Sequence, residues 1–260
     1  MERIEDLIPE IPKINTALSY TEYLQLKADS YNSKPGNLTG YECPICKNKG
    51  YIEKIVDDSE VLAECKCLKI RDTLQRIKDS GLEELLRCCT FRNFDTTEEW
   101  QKNIKSGAMR FSEQDKGFFY IGGQSGCGKT HLCTAIIGAM IKKGKSTRYF
   151  VWREDSTILK ALVNDKEYQP AIDDFKKTDV LYIDDLFKQS NVSDADVKLA
   201  FELIDYRARN NLMTVISSEL NINDLIEIDE ALGGRIVQLT KGNRHIISKD
   251  RAKNYRLRKE

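Results

Sequence analysis

Residues 122–130 read Gly-Gly-Gln-Ser-Gly-Cys-Gly-Lys-Thr. From Gly123 to Thr130 the spacing is G-x-x-x-x-G-K-[ST], the pattern of a phosphate-binding loop. The chemistry of such a loop is narrow. Backbone N–H groups of Gln124, Ser125, Gly126, Cys127 and Gly128 would wrap a polyphosphate, and the following helix would point its positive end at the same anion. Lys129 is expected to reach the β- and γ-phosphates, and the Thr130 hydroxyl to ligate Mg²⁺. His131, in the first helical turn, either faces the nucleotide or packs. The alternative is a glycine-rich turn without a ligand. The flanks favour the loop: Phe118–Ile121 reads as a buried strand entering it, and Leu132–Ile141 as an apolar helix leaving it.

A second signal is Val180-Leu181-Tyr182-Ile183 followed by Asp184-Asp185. Two carboxylates at the end of a buried strand are costly unless a metal or water occupies the site. Asp184 is the expected outer Mg²⁺ ligand and Asp185 the group that polarises an attacking water. The competing reading is a strand that ends in a solvated turn. A third strand, Met213–Ser217, ends in Ser218 and Glu219, polar groups that can touch that water or the γ-phosphate. Arg235 and Arg256 supply guanidinium groups, which stay charged and present a planar fork suited to phosphate. Composition alone does not select them from the other arginines.

A different chemistry sits upstream. Cys43-Pro-Ile-Cys46 and Cys65-Lys-Cys67 form a C-x₂-C…C-x-C arrangement. The alternating segment between them, Tyr51–Val56 and Val61–Ala63, suits a short hairpin. Paired thiolates can each take two corners of a tetrahedron, so Zn²⁺ in a closed structural site is expected. A redox pair or unrelated thiols are the alternatives. Cys88 and Cys89 are expected to be buried packing residues and Cys133 to be core. Cys127 needs only its backbone, and His245 is expected in the core.

These groups need elements to position them. Candidate strands at 118–121, 147–151, 180–183, 213–217 and 245–247 alternate with helices, which implies a parallel sheet covered on both faces. Phosphate sites then lie at the strands' carboxyl ends. Upstream, a helix is expected over 15–29, ended by Asn32–Asn37, and another over 69–88, interrupted at Ser80-Gly81. Lys66, Lys69, Arg71, Arg76 and Lys78 make a mild basic stripe, by default a solvated face. Phe91–Asp95 reads as a connector. The 260 residues hold 41 Lys+Arg against 41 Asp+Glu, so nucleic-acid binding would need a local patch. No run approaches a membrane span, and the acidic start, Met1–Glu10, carries no secretory h-region. A cytoplasmic protein is expected, and eight cysteines then call for a role other than disulfides.

On Gly122–Thr130, Val180–Phe187, Thr214–Leu220, Ala231–Ile236 and Asn254–Arg258 the chain resembles AAA+ ATPases of the DnaC/DnaI helicase-loader group, with the IstB transposition ATPases as close relatives. The resemblance covers roughly residues 90–260. The cysteine module and its basic helix are similar to the zinc-bearing N-terminal region of DnaI-type loaders, and a phage or prophage origin is compatible with the pattern. The resemblance implies an α/β AAA+ fold, a five-stranded parallel sheet flanked by helices, preceded by a small helical, zinc-binding domain over 1–89. It also implies ATP/ADP, Mg²⁺ and Zn²⁺ as cofactors. Partners would be a hexameric replicative helicase bound through the N-terminal domain, single-stranded DNA, and further copies of the chain. The catalytic set would be Lys129, Asp184, Asp185, Ser218, Arg235 and Arg256. Arg235 would reach a neighbouring subunit's nucleotide, and Arg256 its own. Phe187 and Lys188, in the loop to Ser190, are the candidate DNA contacts. Loaders often carry Asn where this chain has Glu219, which moves the water-sensing contact to Ser218. An Asp-Asp pair in place of Asp-Glu implies slow, switch-like hydrolysis. An IstB-like transposition helper, a nucleotide-gated adaptor with negligible turnover, and a zinc-bearing nucleoside kinase are the competing functions.

Overall fold

The computed structural model describes residues 18–79, 83–188 and 191–257. The chain divides into two compact units, Met1–Arg71 and Asp72–Glu260.

In the first unit, helix α1 (Tyr20–Ser33) starts on Ser19, whose hydroxyl accepts from the Glu22 N–H while Glu22 bonds back, a reciprocal cap. The helix runs past the expected end at Asp29 and stops before Pro35, which disfavours helix in the residue preceding it. The expected start at Asn15 lies outside the described residues. Strands β1 (Tyr51–Val56) and β2 (Ser59–Glu64) form the antiparallel hairpin. Asn32 of α1 fixes the helix to β1 by accepting from Glu53 N (3.0 Å) and donating to Glu53 O (2.8 Å). Cys43, Cys46, Cys65 and Cys67 form the buried centre.

Helix α2 (Cys67–Asp79) contains the division between the units, and α3 (Glu83–Cys88) follows it; the expected break at Ser80-Gly81 lies outside the described residues. The division falls at Arg71, not at the expected 89. The reason is apolar: Leu86 and Phe91 pack on the same cluster as Ile136 and Ile137. Cys88, expected to be buried, is exposed, and Cys89 is only partly covered, because α3 turns its leucines inward instead.

The second unit continues with α4 (Glu99–Ser112), β3 (Phe118–Gly123), α5 (Lys129–Lys142), β4 (Thr147–Val151), α6 (Trp152–Leu162), α7 (Tyr168–Lys177), β5 (Val180–Asp184), α8 (Asp194–Arg209), β6 (Met213–Ser218), α9 (Ile222–Ile228), α10 (Glu230–Leu239) and β7 (Arg244–Ile247). The five strands are parallel in the order β4-β5-β6-β3-β7. Side chains alternate between two cores, as the period of a strand requires. Leu181, Ile183, Tyr120 and Ile216 enter one, with α6, α7, α8 and α10; Val180, Tyr182, Phe119, Ile121 and Val215 enter the other, with α4 and α5. Both faces are therefore apolar, which is why these strands read as continuous runs. Register pairs Val151 with Asp184 and Gly122 with Ser218, so the loops that carry the expected chemistry all leave the sheet at the strands' carboxyl ends.

Candidate functional site

The loop after β3 needs glycine for two physical reasons. Gly126 has φ +75° and Gly128 φ +90°, conformations that side chains rarely adopt. A Cβ on Gly126 would lie 2.0 Å from Asn254 Oδ1, and one on Gly128 2.8 Å from the Phe94 ring. The loop is thus a bare-backbone cradle with walls on both sides. Lys129, 5% exposed, donates to Gly123 O (2.8 Å) and Gln124 O (3.0 Å), which holds the loop closed around its own ammonium. Thr130 Oγ1 stands 3.4 Å from Asp184 Oδ1.

Asp184 is fixed by three hydroxyls. Its carboxylate accepts from Tyr149 (3.1 Å), Tyr182 (2.5 Å) and Ser217 (2.7 Å). Burial pushes the Tyr182 and Tyr149 phenols well above their ordinary range, so both remain protonated donors. Asp185 has φ +54°, and its N–H donates to Ser217 Oγ (2.9 Å). Ser217 therefore ties the acidic turn to β6. Hydroxyl and carboxylate oxygens at Thr130 and Asp184 are the hard donors that Mg²⁺ takes, and the cradle of amides fits a polyphosphate.

A cavity of about 430 Å³ opens here, lined on one side by Ser125, Lys129 and Thr130, on another by Asp185, Lys188 and Glu219, and on a third by Asn93, Phe94, Asp95, His131, Tyr255 and Arg256. The connector residues Asn93–Asp95 were not expected to line it. His131 bonds Thr90 O (2.9 Å) and meets the Phe94 ring edge-on at 5.3 Å. The C-terminal segment straps the loop: Tyr255 N donates to Gly126 O (2.9 Å), Gln124 and the Asp250 backbone bond reciprocally, and Arg256 Nη1 donates to Ser125 Oγ (3.2 Å). The Tyr255 hydroxyl donates to Asp95 Oδ2 (2.7 Å), which helps hold that carboxyl well below its usual range; the Thr97 hydroxyl does more.

Two expected residues, Ser218 and Phe187, stand elsewhere, and Arg235, expected to reach a neighbouring subunit's nucleotide, is not part of this cavity's lining. Ser218 is buried; its hydroxyl donates to Leu186 O (2.7 Å) and accepts from Leu220 N, so Glu219 and not Ser218 faces the cavity. Arg235 lies on α10, paired with Asp205 (3.3 Å) and bonded to Gln238, outside the cavity lining. Phe187, expected as a DNA contact, is 3% exposed with its ring against Trp152 at 5.1 Å. Positive φ at Asp185 and Phe187 folds that loop inward, and Lys188 pairs with Asp185 (2.6 Å) and Glu219 (3.3 Å). Gln189 and Ser190, the rest of that candidate loop, lie outside the described residues.

In the first unit the sulfurs of Cys43, Cys46, Cys65 and Cys67 all lie within 4.8 Å of one another. Cys43–Cys65 and Cys46–Cys67 separations are 3.7 and 3.4 Å, near the roughly 3.8 Å edge of a tetrahedron with Zn–S bonds of about 2.3 Å. The soft, buried four-sulfur set fits Zn²⁺. Asn48 accepts from Cys43 N (2.9 Å), and Gly50 N reaches Cys46 Sγ (3.3 Å). Arg71, counted from sequence among a solvated stripe, instead donates to Thr39 O, Tyr41 O (2.6 Å) and Asn48 Oδ1 (2.9 Å).

The model for IstB-like ATP binding proteins matches residues 59–260. The uncharacterised protein YqaM of Bacillus subtilis (strain 168) is 34% identical over 210 residues, covering 75% of this chain; the chain spans just under two thirds (66%) of YqaM. The phage-like element PBSX protein XkdC of the same organism is 30% identical over 214 residues, 76% of this chain and 79% of XkdC. The replicative helicase loader DnaC of Escherichia coli (strain K12) is 25% identical over 179 residues, 67% of this chain and 70% of DnaC. Among solved structures, DnaI superposes with a TM-score of 0.54 at 24% identity, over 63% of this chain and 92% of that one. The DnaC helicase loader does so with 0.52 at 20% identity, over 62% and 97%. Those two likenesses concern the fold. No helix among the described residues is long and apolar enough to cross a membrane.

Proposed function

The chain belongs to the family of IstB-like ATP-binding proteins and is an AAA+ ATPase, and from that premise we propose that it loads a replicative DNA helicase. The observation that carries the reading is the convergence on one cavity of Lys129, Thr130 beside Asp184, Asp185 and Arg256, from three separate segments of the chain. A relative of known name, the DnaC loader, supports the choice of partner. ATP would sit on the Gly123–Thr130 cradle, with Lys129 leaving its loop carbonyls for the phosphates. Mg²⁺, held between Thr130 and Asp184, would neutralise phosphoryl charge. Asp185 would orient the attacking water, with Glu219, just past the end of β6, as the polar group in place of Ser218. The short reach of Asp185, and its pairing with Lys188, support slow hydrolysis suited to a switch. Arg256 would read the nucleotide in its own subunit. Arg235, outside its own cavity, would read a neighbour's, so self-association belongs to the proposal. The zinc module and α1 would dock on the helicase, and single-stranded DNA would be held by the ATPase domain, in the cytoplasm.

The test is capture of the host's hexameric helicase by the full chain and by Lys129→Ala, each with ATP and with ADP. Nucleotide-dependent retention by the unmodified chain, lost in the variant, is the expected result. Retention of a transposase instead, and of no helicase, would turn the assignment to an IstB-like transposition helper.

A further inference from the structure

Lys188, a candidate DNA contact from the sequence, has surroundings that also suit a different role. Each residue before it is pinned. Asp185 and Phe187 both have positive φ (+54° and +60°). Leu186 is fully buried, its N–H donates to Ser217 O (2.8 Å), and its carbonyl accepts from Ser218 Oγ (2.7 Å). Phe187 is anchored against Trp152. Non-glycine residues in the left-handed region are strained and persist only where the surroundings impose them. These two, on either side of Leu186, deliver one side chain, the Lys188 ammonium, into the nucleotide cavity that Lys129 also lines.

There Lys188 Nζ bridges the ends of two strands, 2.6 Å from Asp185 Oδ2 and 3.3 Å from Glu219 Oε1. Two carboxylates facing a cavity built for a polyanion would repel it, and the repulsion grows as water is displaced. One ammonium between them reduces that cost. It has three N–H donors, so pairing with two carboxylates leaves one. The side chain is 43% exposed and flexible, so it can follow an incoming group.

Resting on the ATPase reading above, we propose that Lys188 is a further phosphate ligand: its ammonium contacts the γ-phosphoryl group of ATP bound in the same subunit while keeping Asp185 and Glu219 neutralised. The contact exists with a triphosphate and is lost with a diphosphate. The chain then discriminates ATP from ADP without help from a neighbouring subunit's arginine.

The experiment measures dissociation constants for ADP and for a non-hydrolysable ATP analogue by calorimetry with Mg²⁺. The proteins are the full chain, Lys188→Met, Lys188→Arg and Lys129→Ala, with single-stranded DNA affinity followed by anisotropy in parallel. Lys188→Met is expected to weaken the triphosphate about tenfold or more and to leave ADP within about twofold. Lys188→Arg should recover most of the loss, and DNA affinity in the absence of nucleotide should hold. An equal loss for both nucleotides, no loss, or tighter ATP binding overturns the proposal. So does a fall in DNA affinity with ATP/ADP preference intact. Lys129→Ala should lose both nucleotides. If the unmodified chain takes up no adenine nucleotide, the ATPase reading itself fails. If it binds both and only the Lys188 variants are silent, this inference alone fails.

Discussion

Neither strand of the hairpin in the cysteine module carries a buried side chain, whereas every residue of β3 in the nucleotide unit is buried. The module has Leu24, Ala28 and Ile70 as its only fully buried aliphatic residues among those described, and its centre is four thiols. The nucleotide unit has two apolar cores sharing one sheet. A core that small does not offset the chain entropy of ordering it. A metal held by the four sulfurs would supply what burial does not, so the two units should be separable by treatments that act on only one of them.

The largest expected effect follows directly. Structural zinc contributes about 10–16 kcal/mol to small metal-dependent folds. Cys46→Ser, or a strong chelator, should release amide-exchange protection across β1 and β2. The nucleotide unit should keep its protection and its affinity for ATP. Hydrogen exchange read by mass spectrometry, beside metal analysis of the purified chain, checks both halves. Simultaneous loss in both units would break the comparison.

Each unit also carries one arginine that ties backbone carbonyls together, and they differ in burial. Arg207 is fully buried near the end of α8. It donates to the carbonyls of Phe175, Lys176, Thr178 and Met213 and to Thr214 Oγ1. Burial lowers it to about 9, still protonated at neutral pH. Arg207→Met would leave those acceptors unpaired, at a cost of about 3–5 kcal/mol. Denaturant unfolding of the nucleotide unit should show it, with metal content unchanged. Arg71 is only half-buried and binds the flanks of the first cysteine pair. Arg71→Gln should weaken zinc about 10–100-fold, the usual price of removing an outer-shell partner, without moving ATP affinity. Competition with a chromogenic chelator measures it.

The same contrast explains what the sequence disclosed. Strands β3, β5 and β6 were legible because burial on both faces writes short apolar runs, and the phosphate loop because its glycines are dictated by backbone geometry. The cysteine spacing disclosed the sulfur cluster for a comparable reason: the ligands are short side chains close in sequence. Long-range geometry was not legible. Asn93–Asp95 line the cavity because Tyr255, far along the chain, bonds back to Asp95. A polar or aromatic cluster just upstream of the nucleotide domain was the only available signal. The choice between Ser218 and Glu219 turns on which way the last residue of β6 points, and the burial of Phe187 is hidden because no propensity foretells left-handed backbone at both Asp185 and Phe187. Arg71 and Arg207 look like any solvated arginine until the carbonyls around them are known.

The smallest expected effect concerns a charge that the apolar core of the nucleotide unit tolerates poorly. Asp155, in the first turn of α6, accepts from Val151 N (2.6 Å) and borders a cavity with Ile77, Leu85, Leu86 and Ile137. Burial raises it to about 6, against the stabilising Val151 N–H and with a small push from Glu154. A carboxyl whose folded-state value lies above its unfolded one favours folding while protonated. That contribution is fully present below about pH 4 and is lost as pH rises through about 6. At pH 7–8 the ionised Asp155 is therefore a liability. Asn offers the same acceptor to Val151 without the charge. Asp155→Asn should stabilise the nucleotide unit by about 1–2 kcal/mol at pH 7.5, allowing for partial solvent screening, and the gain should fade to nothing near pH 4. Urea unfolding of both proteins across that range isolates the residue, since all other titrations cancel in the difference. A gain independent of pH would mean that packing, not charge, sets the cost of Asp155. The same substitution should leave the cysteine module's metal affinity untouched, because nothing in that module's stability depends on how well an apolar core tolerates a carboxylate.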